Sequence, residues 1–87
     1  MAEYSITFAR SARKELEKLD AVWVRRIFPA IESLSLNPRP PNCKKLKGHH
    51  DLWRIRVGDY RVIYSIDDSR RVVDINAVRH RSEAYRD

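Results

Sequence analysis

The chain has 87 residues and a formal net charge of +6 at pH 7, with 18 Lys and Arg against 12 Asp and Glu. A domain near this size buries only about 60% of the surface of its unfolded chain, so one small domain with a thin core is expected. No apolar run approaches the length of a membrane span, and one cysteine, Cys43, excludes an internal disulfide. We therefore expect a cytoplasmic domain over residues 1–87, without membrane association.

The basic charge is concentrated in one quarter of the chain. Residues 39–61 contain seven Lys or Arg and two acidic residues, whereas residues 1–38 contain six basic and five acidic side chains. Solubility alone does not require such clustering. A concentrated basic surface favours a polyanion, such as a nucleic acid, as partner.

The chain is predicted to begin with a strand and a short helix. The alternation of Tyr4, Ile6 and Phe8 with polar residues predicts a strand near residues 3–8. Apolar residues at helical spacing then predict an amphipathic helix over about 9–19.

A second helix follows, with Asp20 as its predicted cap and Asn37-Pro38 as its end. Its apolar stripe consists of Val24, Ile27, Ile31 and Leu34. Pro29 lies inside this helix, removes one backbone hydrogen bond, and is expected to kink or split it. The economical arrangement packs both helices as a hairpin on one face of a sheet.

The second half of the chain is predicted to be mostly strands. A proline-containing loop over 37–50 precedes a β-hairpin over about 52–66 and a turn at 67–70. The last strand, Val72 to Val78, is apolar on both faces, which indicates a central position. The order βααβββ predicts an α+β fold, an antiparallel sheet with a helical hairpin on one face.

The hairpin is the most informative element. Its two-residue turn, Gly58-Asp59, fits type II′ because glycine stands at the first central position. Counting back from the turn places the following on one apolar face: Trp53, Ile55, Val57, Tyr60, Val62 and Tyr64. Arg54, Arg56 and Arg61 then share the other face, which is expected to be open to solvent.

In this register Arg56 lies directly opposite Arg61. Like charges in that position destabilise a strand pair, by roughly 0.2 to 1 kcal/mol. Folding alone does not favour this arrangement, whereas an anion bound between the guanidinium groups would. The hairpin therefore predicts an anion site.

Three segments resemble the RelE/ParE toxin superfamily: KLKG at 45–48, LWRIRVGDYRVIY at 52–64 and RHRSEAY at 79–85. The resemblance covers essentially the whole chain and implies the microbial-RNase-like RelE fold. The ending is similar to the RelE branch, whose members are ribosome-dependent mRNA endonucleases. ParE-type members poison DNA gyrase and lack this tail.

The resemblance implies five catalytic positions, and these match Arg54, Arg56, Arg61, Arg79 and Tyr85. The best-known members have lysine where this chain has Arg54 and Arg56. Arginine stays charged, so a mechanism with a lysine general base does not transfer to this chain.

The implied chemistry is metal-independent cleavage of RNA by its own 2′-OH, for which no cofactor is expected. Arg61 and Arg79 suit the neutralisation of the phosphorane, because guanidinium forks match phosphate oxygens. Arg54 and Arg56 would hold the flanking backbone or add to this clamp. Tyr85 is the candidate base, or a platform on which a base stacks.

Further basic residues, Lys44, Lys45 and Lys47, are interpreted as RNA-binding, although a solvated lysine-rich loop is the alternative. His80 is expected to point away from Arg79, because adjacent strand residues alternate. Cys43 and the pair His49-His50 lack zinc-site spacing and do not predict a metal site.

The resemblance also implies partners. These are a RelB-type antitoxin from the same operon, the ribosome with its mRNA, and operator DNA bound only through the antitoxin complex. Two alternatives remain open: a ParE-like gyrase inhibitor, and a non-catalytic member that binds RNA or antitoxin.

Overall fold

Two helices and a five-stranded sheet make up the fold in a computed structural model, which describes residues 3–48 and 51–82. The elements are β1 (Ser5–Phe8), α1 (Arg10–Glu17), α2 (Ala21–Ser33), β2 (Lys44–Lys45), β3 (Leu52–Val57), β4 (Tyr60–Asp67) and β5 (Val72–His80). Within the described residues, neither helix has the length and apolar character needed to cross a membrane.

The strand order is β1-β5-β4-β3-β2, which confirms the predicted α+β fold and the interior position of β5. Two details differ from prediction. β1 pairs with β5 in parallel, so the sheet is mixed rather than antiparallel throughout. The predicted loop also contains β2, which pairs with β3. Local alternation carries no information on strand direction, and a two-residue strand is too short to show a pattern.

The main core lies between the helices and one face of the sheet. Its buried residues are Ala12, Ile27, Ile31, Leu34, Ile55, Val62, Tyr64, Val73, Ile75 and Val78. Trp53, Val57 and Tyr60 pack against this core, so the predicted apolar face of the hairpin is confirmed. Both helices therefore cover the same face, and the face bearing the hairpin arginines lies opposite.

Helix α1 lies along the part of the β5 edge that β1 does not reach. Ala9 N donates to the carbonyl of Ile75 at 2.9 Å, and Ser11 Oγ donates to the carbonyl of Asn76 at 3.0 Å. Covering this open part of the β5 edge satisfies backbone carbonyls of Ile75 and Asn76 and blocks pairing with other chains. The helix is thereby fixed relative to the end of β5.

Helix α2 departs from prediction at both ends. Asp20 occupies the N-cap position, but its side chain forms no capping hydrogen bond within the described residues. The helix also runs through Pro29 without being split, and it ends at Ser33, before Asn37. Ile27 precedes Pro29 and Ile31 follows it, and both side chains are buried in the main core. This packing holds the helical turns before and after the proline in place.

The loop after α2 is held by contacts with β3, with β4 and with the turn that follows β4. The hydroxyl of Tyr64, which is fully buried, donates to the carbonyl of Pro38 at 2.7 Å. Burial, together with the nearby Cys43, raises the pKa of Tyr64. The guanidinium of Arg39 pairs with Asp68 at 3.0 Å and lies 5.2 Å from the centre of the Trp53 ring. These contacts hold the loop from which β2 begins.

Replacing Tyr64 by phenylalanine tests this anchor. The variant keeps the ring but leaves the Pro38 carbonyl without its donor, so we expect the free energy of unfolding to fall by about 1 to 3 kcal/mol. Urea denaturation measures the loss. Tyr4→Phe is the matched control, because its hydroxyl donates to the exposed Asp68 and water can replace it. An equal loss in both variants would contradict the assigned role of burial.

Candidate active site

Three arginines from neighbouring strands lie side by side on the sheet face away from the helices. Arg56 of β3 pairs in register with Arg61 of β4, and Arg61 pairs with Arg79 of β5. Residues directly opposite one another point to the same face of a sheet. We call these three residues the arginine row. The predicted register of the hairpin is confirmed. The arginine row also includes Arg79 of β5, the strand next to the hairpin.

The place of Arg79 in the arginine row depends on a β-bulge. Tyr64 pairs with Ile75 and Ile63 pairs with Ala77, which leaves Asn76 as an extra residue. Ile75 packs in the main core, whereas Ala77 packs on the opposite face. With regular alternation Ile75, Ala77 and Arg79 would all face the helices. The polar Asn76 inside an apolar run is the sequence signal that could have indicated this bulge.

Arg54 differs from the arginine row in exposure. Its exposed fraction is 7%, and it lies opposite both Lys44 and Ile63. A second small cluster of Leu46, Ile63, Ala77 and Leu52 packs on this face. The expectation that all three hairpin arginines are open to solvent is therefore wrong for Arg54. The unpredicted β2 and the cluster beside it cover that part of the face.

A cleft of about 360 Å³ adjoins the arginine row. Its lining consists of Arg56, Arg61, Arg81, Ser82 and the hairpin turn with Tyr60, so it includes two members of the arginine row and not Arg79. Arg81 N donates to the carbonyl of Asp59 at 2.7 Å, which holds the chain after β5 against the turn. Arg81 is a site residue that sequence reasoning missed. Its position two residues after Arg79, and so of the same strand parity, was the available signal.

The hairpin turn requires glycine for two separate reasons. Gly58 has φ +59°, a conformation that side-chain-bearing residues rarely adopt. A Cβ atom there would also lie 2.6 Å from the Trp23 ring. Among the described residues Arg71 is the single non-glycine with positive φ, so Asp59 has negative φ and the predicted type II′ turn is confirmed.

His80 points away from the arginine row, as predicted. Its ring packs edge-to-face on Tyr60, with 5.3 Å between ring centres, and Tyr60 in turn contacts Trp23 at 4.9 Å. His80 Nδ1 accepts a hydrogen bond from the backbone N–H of Ser82 at 3.2 Å. His80 therefore supports the turn that follows β5 rather than facing the arginine row.

The three lysines interpreted as RNA-binding do not share one surface. Lys44 pairs with Arg54 and so lies on the face of the arginine row, whereas Lys45 pairs with Trp53 on the other face. The ammonium group of Lys45 lies 5.9 Å from the centre of the Trp53 ring. Lys47 is exposed beyond the end of β2. The alternation of β2, which the sequence did not reveal, separates Lys44 from Lys45.

Tyr85, His49 and His50 lie outside the described residues. Within residues 3–48 and 51–82, no group of three or more His, Cys, Asp or Glu side chains is arranged to hold a metal ion. The chemistry of the site, as far as the structure describes it, is that of arginine side chains from three adjacent strands on one sheet face.

The fold and the site define a small α+β protein with a basic sheet face suited to an anionic ligand. Residues 6–85 match the family of ParE toxins of type II toxin–antitoxin systems. A RelE toxin of Methanocaldococcus jannaschii is 34% identical over 84 residues, spanning 92% of this chain and 93% of that protein. The chain therefore belongs to the RelE/ParE family of toxins, as its motifs predicted.

Solved structures give the same result for the fold. The archaeal RelE–RelB complex from Pyrococcus horikoshii OT3 contains a chain that matches at a TM-score of 0.80 and 32% identity, covering 94% of this chain and 99% of that one. The intact Escherichia coli RelBE toxin–antitoxin complex matches at 0.79 and 28% identity, covering 95% and 99%. The α+β fold with two helices and a mixed sheet is thus the RelE fold.

Proposed function

We propose that this toxin is a ribosome-dependent endoribonuclease that cleaves mRNA in the ribosomal A site. The observation that carries the proposal is the arginine row beside the cleft, in a chain whose relatives are named RelE toxins. Three cations placed side by side cost folding energy, and this cost is offset when a phosphodiester binds among them.

The proposed reaction is an attack of the ribose 2′-OH on the adjacent phosphorus. A base removes the 2′ proton, the bond from phosphorus to the 5′ oxygen breaks, and that oxygen takes up a proton. The products are a 2′,3′-cyclic phosphate and a 5′-OH end. Tyr85 keeps its predicted role as the base or as a stacking group.

The four arginines have different roles in binding and stabilising the phosphate groups of the mRNA. Arg61 and Arg79 bind the non-bridging oxygens and stabilise the charge that develops on the phosphorane. Arg56, which is exposed, contacts a flanking phosphate. Arg54 is nearly covered, so we assign it a contribution to the positive potential beneath the site rather than contact with mRNA. Of the four arginines predicted to act in catalysis, the proposal thus leaves Arg56, Arg61 and Arg79 in contact with mRNA.

Exclusion of water explains why such a site would need the ribosome. Two unit charges 6 Å apart interact with about 0.7 kcal/mol in bulk water, and with about 2.8 kcal/mol at an effective dielectric constant of 20. Docking that displaces solvent therefore strengthens each guanidinium–phosphate interaction about fourfold. With mRNA that is not bound to a ribosome, water would remain in the cleft, the guanidinium–phosphate interactions would be weaker, and cleavage would be slow.

We also propose a RelB-type antitoxin as the partner from the same operon. The similar chains from Pyrococcus horikoshii and Escherichia coli were both solved in complexes of RelE with RelB. In such a complex the antitoxin would block the site and would supply any contact with operator DNA. Action on ribosomes places the toxin in the cytoplasm.

Cleavage of mRNA by the purified toxin with and without ribosomes tests the proposal. Primer extension is expected to show cuts in codon register only when ribosomes are present. Poisoning of DNA gyrase is the second candidate, because the matched family is described as ParE. Gyrase cleavage complexes in a ribosome-free assay, without mRNA cuts, would overturn the nuclease assignment in its favour. Growth arrest with neither outcome would indicate a non-catalytic binding member.

The salt dependence of ribosome binding tests the lysines separately. Each phosphate contact contributes about 0.7 to 0.9 to the slope of log affinity against log salt concentration. We expect Lys44→Ala to reduce the slope by about this amount, because Lys44 lies on the face of the arginine row. Lys45→Ala is the matched control, with little expected change. A larger effect for Lys45 than for Lys44 would place the RNA on the other face.

A further inference from the structure

We propose that Glu15 of α1 is a positioning residue that orients Arg79 for the scissile phosphate. The inference rests on the proposed nuclease function and adds a residue to it. Glu15 Oε2 accepts a hydrogen bond from Arg79 Nε at 3.2 Å, and Glu15 Oε1 accepts one from the backbone N–H of Val78 at 2.8 Å. One carboxylate therefore holds both the guanidinium and the strand that carries it.

The two bonds restrict Arg79 because Glu15 is itself restricted. The hydroxyl of Ser11, one turn earlier on α1, donates a hydrogen bond to the Asn76 carbonyl at the bulge, and the backbone N–H of Ala9 donates one to the carbonyl of Ile75. Helix α1 thus follows β5 from Ile75 to Arg79 and cannot shift without breaking these contacts. An arginine side chain has several rotatable bonds, and fixing Nε removes most of that freedom before RNA binds.

The orientation also decides which edge of the guanidinium serves the phosphate. With Nε committed to Glu15, the edge formed by the two terminal nitrogens is the edge that takes the phosphate oxygens. This edge offers two parallel N–H donors, the geometry that matches an oxyanion. A misplacement of about 1 Å at such a donor can cost roughly 100-fold in rate.

A contribution to stability alone does not account for this carboxylate. The side chains of Arg79 and Glu15 are 31% and 29% exposed, and partly solvated ion pairs stabilise folded proteins little. A carboxylate beside an anion site also repels the anion. Its presence weakens phosphate binding while improving the placement of Arg79, so loss of its charge is predicted to lower kcat without raising KM.

Steady-state cleavage of ribosome-bound mRNA by Glu15→Gln tests the proposal. Glutamine keeps an acceptor for Val78 but loses the charge-assisted bond to Arg79, so we expect kcat to fall about tenfold and KM to stay the same or decrease. Glu17→Gln is the matched control, an identical charge change on an exposed position of α1, with wild-type kinetics expected. A parallel loss of kcat and melting temperature in Glu15→Gln would indicate a structural role and overturn the proposal.

A double-mutant cycle with Arg79→Ala shows whether Glu15 acts through Arg79. We expect Glu15→Gln to have no further effect on cleavage once Arg79 is alanine, and an undiminished effect would overturn the proposal. The NMR signal of the Arg79 Nε–H in the full chain gives a readout independent of activity. It is expected to exchange slowly in wild type and to move and exchange rapidly in Glu15→Gln. Failure of the wild type to cut mRNA would overturn the proposed function, and the NMR comparison would then decide the role of Glu15 by itself.

Discussion

Replacing Arg61 by alanine is expected to slow cleavage of ribosome-bound mRNA by about 100-fold to 1,000-fold, the usual loss when one donor to a developing oxyanion is removed. Arg61 is the centre of the arginine row, with Arg56 on one side and Arg79 on the other. Its removal relieves like-charge repulsion in the sheet, so we expect no matching loss of stability. Single-turnover kinetics and thermal denaturation measure the two quantities.

Arg61→Lys separates charge from geometry. Lysine keeps the positive charge but lacks the planar fork, so we expect a rate between those of wild type and the alanine variant. Arg70→Ala is the control, since Arg70 is exposed in the turn between β4 and β5. Unchanged cleavage by Arg61→Ala, or an equal loss in Arg70→Ala, would contradict the assignment of the arginine row as the catalytic centre.

Gly58→Ala is expected to lower the free energy of unfolding by about 2 to 4 kcal/mol. Positive φ costs an alanine about 1 to 2 kcal/mol, and overpacking against Trp23 costs about 1 to 3 kcal/mol. The new Cβ would lie 2.6 Å from the Trp23 ring, so either the ring or the turn must move. Urea denaturation measures the change in unfolding free energy.

Gly48→Ala provides the matched control. Gly48 also has positive φ, at +75°, but within the described residues no atom lies within 4 Å of the position that its Cβ would take. We therefore expect a loss of only about 1 kcal/mol, the conformational part alone. In a Trp23→Ala background, Gly58→Ala should lower the free energy of unfolding by less than it does in the wild type. The effect of Gly48→Ala should be the same in both backgrounds. Equal losses at the two glycines would show that contact with Trp23 does not matter.

The hairpin could be predicted residue by residue because its determinants are local. A two-residue turn with glycine first sets the register, and strand alternation then assigns every side chain to a face. The pairing of Arg56 with Arg61 and of Trp53 with Tyr64 follows from these two rules. The toxin family could be predicted for a related reason, since its motifs are contiguous segments, at residues 45–48, 52–64 and 79–85.

The burial of Arg54 could not be predicted in the same way. It depends on β2 and on Leu46, which lie outside the hairpin and show no periodic pattern of their own. The separation of Lys44 from Lys45 has the same origin. A short strand forms because an existing edge accepts it, so its presence depends on β3 rather than on its own residues.

The sequence by itself determined the hairpin register, the burial of Ile27 and Ile31 of α2 and the membership of the family, because each depends on neighbours within a few residues or on a contiguous motif. Only the tertiary structure decided that Arg79 joins the arginine row and that Glu15 contacts it. The bulge at Asn76 reverses the parity of β5, and α1 reaches Arg79 along an edge left open by the shorter β1. The bulge appears only in the pairing of β5 with β4, and Glu15 and Arg79 are 64 residues apart, so no local pattern encodes either contact.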